Sequence, residues 1–151
     1  MSMIEKIEHS NIDLANKLAA IEFEIFDTCW QPEIIQEKIN NKEFIYWIYK
    51  SNVEIVAYLA VQRIDKEFHI IGIGVKEGHR NKQIATKLMD TLLQFFSEIE
   101  IECIRLEVRE SNISAINLYK SYLFEQYGIR EKYYQDENAI LFELRKLDVY
   151  R

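Results

Sequence analysis

Residues 68–108 constrain this chain more than any other stretch. They read as an apolar strand, a polar cationic turn, an amphipathic helix and a second strand. A strand that returns through a helix to another strand makes a parallel crossover within one sheet. The first strand ends in Ile70-Ile71-Gly72-Ile73-Gly74-Val75 and carries two of the chain's four glycines. The turn, Lys76 through Gln83, opens with Gly78 and brings His79, Arg80 and Lys82 to the point where a helix begins. Backbone N–H groups and positive side chains then converge on one spot, which suits a phosphate or pyrophosphate. The carboxyl end of a strand facing a helix N-terminus is the expected place for a site.

The rest of the chain supplies mostly antiparallel strands. Residues 3–7 form a short strand. Asn11 or Ser10 caps a helix over 12–27, striped by Leu14, Leu18, Ile21 and Ile25. Pro32 starts a second helix over 32–40. The period then changes: Phe44-Ile45-Tyr46-Trp47-Ile48-Tyr49 is aromatic and β-branched, a strand pattern. Residues 53–62 return as its hairpin partner, and 68–75 complete a meander. A helix over 81–97 follows, then a strand over 101–109, then a short helix capped by Ser111 or Asn112. Two strands close the chain, near 124–132 and 138–146. The order β-α-α-β-β-β-α-β-α-β-β predicts a mixed α/β domain. Its sheet is mostly antiparallel with one parallel crossover, and about four helices flank it. With 151 residues, one proline and no linker composition, residues 1–151 read as a single domain.

Composition excludes several function classes. A net charge of −6 argues against direct nucleic-acid binding, since a phosphate backbone wants a basic face. It is compatible with a cationic substrate, although solubility alone accounts for it. Cys29 and Cys103 stand apart from any Cys/His cluster, so they read as reduced thiols and no metal site is expected. The N-terminus has no apolar run and no stretch reaches a membrane span, so a cytoplasmic protein is expected.

The run Val75 to Leu88, VKEGHRNKQIATKL, resembles the acetyl-CoA-binding signature of the GNAT N-acetyltransferases. So do Leu106-Glu-Val-Arg-Glu-Ser-Asn112, Ala115-Ile-Asn-Leu-Tyr119 and Phe124, together with the element order over essentially the whole chain. The last loop, Ile129-Arg-Glu-Lys-Tyr133-Tyr134, and Trp30 are similar to the bacterial branch that acetylates the N-terminal alanine of a small-subunit ribosomal protein.

The resemblance implies a sheet splayed at the acetyl-CoA site and direct transfer in a ternary complex. It places the pantetheine arm and thioester on the backbone of Ile73, Gly74 and Val75. It places the pyrophosphate on the turn Asn81, Lys82, Gln83, Ile84, Ala85 and Thr86, with Arg80 beside it. Asn112 would hydrogen-bond the pantetheine, Glu107 would be the general base and Tyr119 the general acid. Trp30, Tyr133 and Tyr134 would hold the incoming peptide. The implied partners are acetyl-CoA and a protein or peptide N-terminus, possibly a ribosomal protein, with no metal and at most a weak homodimer. A small amine or a lysine side chain is the alternative acceptor, and a silent CoA-binding module the alternative role.

The residue types suit that chemistry by themselves. An amine attacks only when neutral, and an α-amino group has a pKa near about 7.7–8.0. A carboxylate can take its proton, and a phenol can protonate a departing thiolate. Taken singly, Glu107 between Arg105 and Arg109 is a surface charge ladder, and Tyr119 is a core tyrosine. The family's turn carries two glycines where this chain has Asn81 and Gln83. Asn tolerates left-handed backbone; Gln83 costs little if its φ is negative, as in a helical first turn, and about 1 kcal/mol or more if its φ is positive.

Overall fold

The computed structural model describes residues 2–80 and 83–146. The elements appear in the expected order: β1 (Ser2–Ile7), α1 (Ile12–Phe26), α2 (Pro32–Asn40), β2 (Phe44–Ser51), β3 (Glu54–Ile64), β4 (Glu67–Val75), α3 (Ile84–Glu98), β5 (Cys103–Arg109), α4 (Ile113–Ser121), β6 (Glu125–Arg130) and β7 (Ala139–Arg145). Asn11 caps α1 by accepting from the Leu14 amide at 2.8 Å. Asn112 does the same for α4 through the Ala115 amide at 3.2 Å. Each satisfies one of the donors a helix start leaves over.

Helix α3 begins later than the 81 its periodicity predicts. Gln83 sits in left-handed backbone, φ 59° and ψ 24°, so regular helix starts at Ile84. Asn81 and Lys82 lie outside the described residues.

All strands join one seven-stranded sheet, in the order β1-β2-β3-β4-β5-β7-β6. Every pairing is antiparallel except that of β4 with β5. Helices cover both faces, which is why β2 reads as an unbroken apolar run. Phe44, Tyr46 and Ile48 point to the face shared with α1 and α2, and Trp47 and Tyr49 to the face shared with α3. Tyr119, Phe124 and Phe142 extend the α3 side of the core under α4. This is the mixed α/β architecture that the sequence predicts, mostly antiparallel with one parallel crossover.

The parallel pair is short. It holds only from Glu67, Phe68 and His69 opposite Cys103, Ile104 and Arg105. Beyond His69 the two strands part. β4 continues to pair with β3, and the register shifts between Ala60 and Val61 where Ile71 is the additional residue on β4. A bulge of this kind bends and twists its strand.

The glycines beside that bulge answer to packing. A Cβ on Gly72 would stand 2.7 Å from the Tyr58 hydroxyl, and one on Gly74 would stand 2.9 Å from Ile25 of α1. They let Tyr58 and the end of α1 close onto β4; the bulge falls at Ile71.

Candidate active site

The divergence of β4 and β5 opens a cavity of about 770 Å³. Its walls are Ile70–Ile73 of β4, 106–109 of β5, the end of α1 with the segment that follows it, and the start of α4. Past His69 no strand pairs with β4 on this side, so its backbone groups there are free of the sheet ladder.

Glu107 stands on the β5 wall with its side chain 16% exposed. Its partner is neither neighbouring arginine. Arg105 is taken by Glu67 and Glu143 at 3.3 and 3.1 Å. Arg109 is taken by Asp136 and Glu137 at 3.0 and 3.4 Å and lies over the Tyr134 ring. Glu107 Oε2 instead lies 2.7 Å from His69 Nε2. A carboxylate only accepts, so His69 Nε2 carries the proton between them. That hydrogen bond holds the Glu107 carboxyl below the usual carboxylate range; burial opposes it, and the charges of His69 and Arg130 assist it. Glu107 is therefore an anion at neutral pH, held from just beyond the last rung of the parallel pair by the histidine on that rung.

Tyr119 faces the same cavity from α4. Its ring packs on Phe124 and Phe142, with centroids 5.6 and 6.4 Å away. Among the described residues no hydrogen-bond partner engages its hydroxyl, which is not sealed in the core. Burial, with a smaller contribution from Tyr134, pushes the phenol well above its ordinary value, so it keeps its proton. Asn112 lines the cavity too; its side-chain oxygen serves Ala115, which leaves its amide N–H₂ for another acceptor.

The turn lies beyond this cavity. Arg80 folds back, its Nε donating to the Val75 carbonyl at 3.0 Å, so its guanidinium is tethered to the end of β4. Ile84 is buried in the core, leaving its backbone for any ligand. The first helical bond of α3 runs from the Lys87 amide to the Gln83 carbonyl, and no side chain caps this end. The amides of Ile84, Ala85 and Thr86 thus have no partner within the helix. Together with the dipole they form a place for an anion.

The peptide-contact candidates separate. Trp30 and Tyr134 line the cavity. Trp30 is 42% exposed and sets its edge on Phe44. Tyr133 stands outside the cavity lining, edge-on to Tyr134 at 4.9 Å and under Arg130 at 5.1 Å.

Two features of the site escape sequence reasoning. His69 carries no motif, and its partnership with Glu107 depends on the β4–β5 register. Glu22 lies on the apolar side of α1, 8% exposed, and lines the cavity. Its Oε1 accepts from the Tyr46 hydroxyl at 2.7 Å. An acidic residue one position after Ile21 of the helix stripe is the signal that could have marked it. No group of His, Cys, Asp and Glu among the described residues could hold a metal ion. No helix among them is long and apolar enough to cross a membrane.

Comparison with known proteins places this geometry. The profile of the acetyltransferase (GNAT) family matches residues 12–123. N-alpha-acetyltransferase RimI of Mycobacterium tuberculosis is 27% identical over 138 residues, 87% of this chain and 85% of that protein. The crystal structure of the ribosomal-protein-S18-alanine N-acetyltransferase from Escherichia coli superposes with a TM-score of 0.83 at 23% identity, covering 96% of this chain and 94% of that one. Arabidopsis thaliana NAA60 in complex with acetyl-CoA gives a TM-score of 0.81 at 20% identity, over 97% and 99% of the two chains. With a splayed parallel pair, an uncapped helix start and a family match over most of its length, the chain belongs to the acetyltransferase (GNAT) family and is an N-acetyltransferase.

Proposed function

We propose that this enzyme transfers the acetyl group of acetyl-CoA to a protein N-terminal α-amino group, with the N-terminal alanine of a small-subunit ribosomal protein as the favoured acceptor. The observation that carries the reading is the placement of Glu107, tied to His69, and Tyr119 on walls of the one cavity where β4 and β5 part. The names of the M. tuberculosis and E. coli relatives supply the acceptor class.

The residues present fit acetyl-CoA. The unpaired edge of β4 suits the pantetheine amides, the Asn112 amide adds a donor, and the start of α3 suits the pyrophosphate. When bound, the molecule brings an activated acetyl thioester. A free N–H on the β4 edge can donate to the thioester oxygen, the kind of placed donor that favours developing negative charge. Glu107 takes a proton from the acceptor's ammonium. A carboxyl held below the usual carboxylate range is a much weaker base than an amine with a pKa of about 7.7, so this transfer is uphill. Glu107 therefore equilibrates the bound amine and passes the proton on, while its fixed charge orients the nitrogen. Tyr119 keeps its proton until the thiolate leaves, then donates it.

The test is a set of acceptors of matched length read by mass: peptides beginning with alanine, the same peptides blocked at the N-terminus but carrying lysine, and free diamines. Acetylation confined to unblocked peptides is expected. Turnover of blocked lysine peptides or diamines alone would replace this acceptor class with the other.

Gln83 bears on the cofactor end. Left-handed backbone costs a residue with a Cβ about 1 kcal/mol, which glycine avoids at some cost in unfolded-state entropy. Gln83→Gly is expected to stabilise the protein by less than about 1 kcal/mol in urea unfolding. It should also tighten acetyl-CoA a few-fold in calorimetry, because a Cβ leaves the mouth of the helix. Weaker binding would mean that the Gln83 side chain itself holds the ligand.

A further inference from the structure

We propose that Glu22 is the floor of an acceptor subsite that takes a cationic side chain, so the favoured peptides carry lysine or arginine at their first or second position. The inference rests on the reading above that the acceptor is a peptide N-terminus.

Three charged side chains of the described residues line the cavity: Glu22, Glu107 and Arg109. Two already have ionic partners. Glu107 is held by His69, and Arg109 by Asp136 and Glu137. Glu22 has none: Tyr46 occupies one carboxyl oxygen as a neutral donor, and no cation among the described residues pairs with the side chain. A carboxyl this deeply buried without a cation is costly to ionise. Its proton affinity is accordingly raised, by burial first, with the Tyr46 hydrogen bond opposing.

The surroundings suit an ammonium or guanidinium. Phe26, Trp30 and Tyr58 line the same side of the cavity, and aromatic faces attract cations. Ile34 gives an apolar wall for a methylene stem. Glu22, Tyr58, Glu107 and Tyr119 line one and the same cavity. A side chain adjoining the reacting amine would extend within it from the Glu107–Tyr119 walls towards Glu22. The protein's net charge of −6 draws cationic acceptors in the same direction.

The experiment measures acetylation of four peptides by wild type and by Glu22→Gln: lysine or norleucine at position one, and lysine or norleucine at position two after alanine. Glu22→Gln preserves an oxygen to accept from Tyr46. In wild type, one lysine peptide should have a KM about tenfold below its norleucine counterpart. In Glu22→Gln the two should converge, with acetyl-CoA affinity in calorimetry as the control for folding. Glu22→Met, apolar and similar in length, should reverse the preference and serves if the glutamine variant does not fold. Equal KM values in wild type, or a preference that survives in both variants, overturns the subsite and leaves the peptide acetyltransferase standing. If wild type acetylates none of the four peptides while binding acetyl-CoA, the acceptor reading falls and the subsite with it.

Discussion

Glu107→Gln is expected to lower kcat/KM about 100-fold near pH 6.5 and far less near pH 9. The sign follows from the acceptor. Below about pH 7.7 most α-amino groups arrive as ammonium, and the wild-type carboxylate gives the bound ammonium a route by which its proton leaves for solvent. Glutamine gives none, so the variant depends on the small neutral fraction, which grows tenfold for each pH unit until the amine has titrated. A pH series of kcat/KM for both proteins measures this, and a constant ratio across pH would remove Glu107 from the base role. A second readout separates chemistry from folding. The Glu107 carboxyl is held below its ordinary 4.5 by His69, so the pair contributes stability above that value. That contribution is lost as pH falls through the lower, folded value. The variant's deficit in thermal midpoint should thus be present at pH 7 and close in acid below 4.5.

Tyr119→Phe is expected to slow acetyl transfer roughly 100-fold while leaving acetyl-CoA affinity within about twofold. The ring packs on Phe124 and Phe142, and phenylalanine retains those contacts. What disappears is the hydroxyl, which has no hydrogen-bond partner among the described residues to leave unsatisfied. Its removal should therefore cost little stability, under about 1 kcal/mol. Single-turnover kinetics with preloaded acetyl-CoA reads the chemical step apart from binding. A fall in affinity with an unchanged chemical step would make Tyr119 a packing residue.

Most of the fold was legible because its strands and helices announce themselves by period. The aromatic run at 44–49, the stripe of Ile84, Leu88, Leu92 and Phe96, and the alternation at 103–109 each fix an element regardless of the others. The end of a helix is less legible: α3 starts at Ile84 because of one left-handed residue, which periodicity cannot register. Pairwise contacts were not legible at all. Glu107 looks paired with the arginines two residues away on its own strand, yet each arginine has acidic partners on other segments. Glu107 turns to a histidine 38 positions earlier that only the parallel register brings close. Glu22 was hidden differently, since a glutamate on an exposed-looking helix acquires meaning only once α1 is laid against β2 and β3. The glycines of β4 show in the sequence, but what they serve does not: their missing Cβ atoms make room for Tyr58 and Ile25, beside a bulge that falls at Ile71.

The three-rung seam between β4 and β5 gives the molecule an interior selvedge. Open strand borders usually sit at the outside of a sheet, where a second chain can zip onto them and start aggregates. Here such a border lies fourth from one end of a seven-strand sheet, with β5 and its followers standing across the gap. The protein thereby keeps a row of hydrogen-bonding groups available to an extended, amide-bearing ligand while no neighbouring strand of another molecule can reach them.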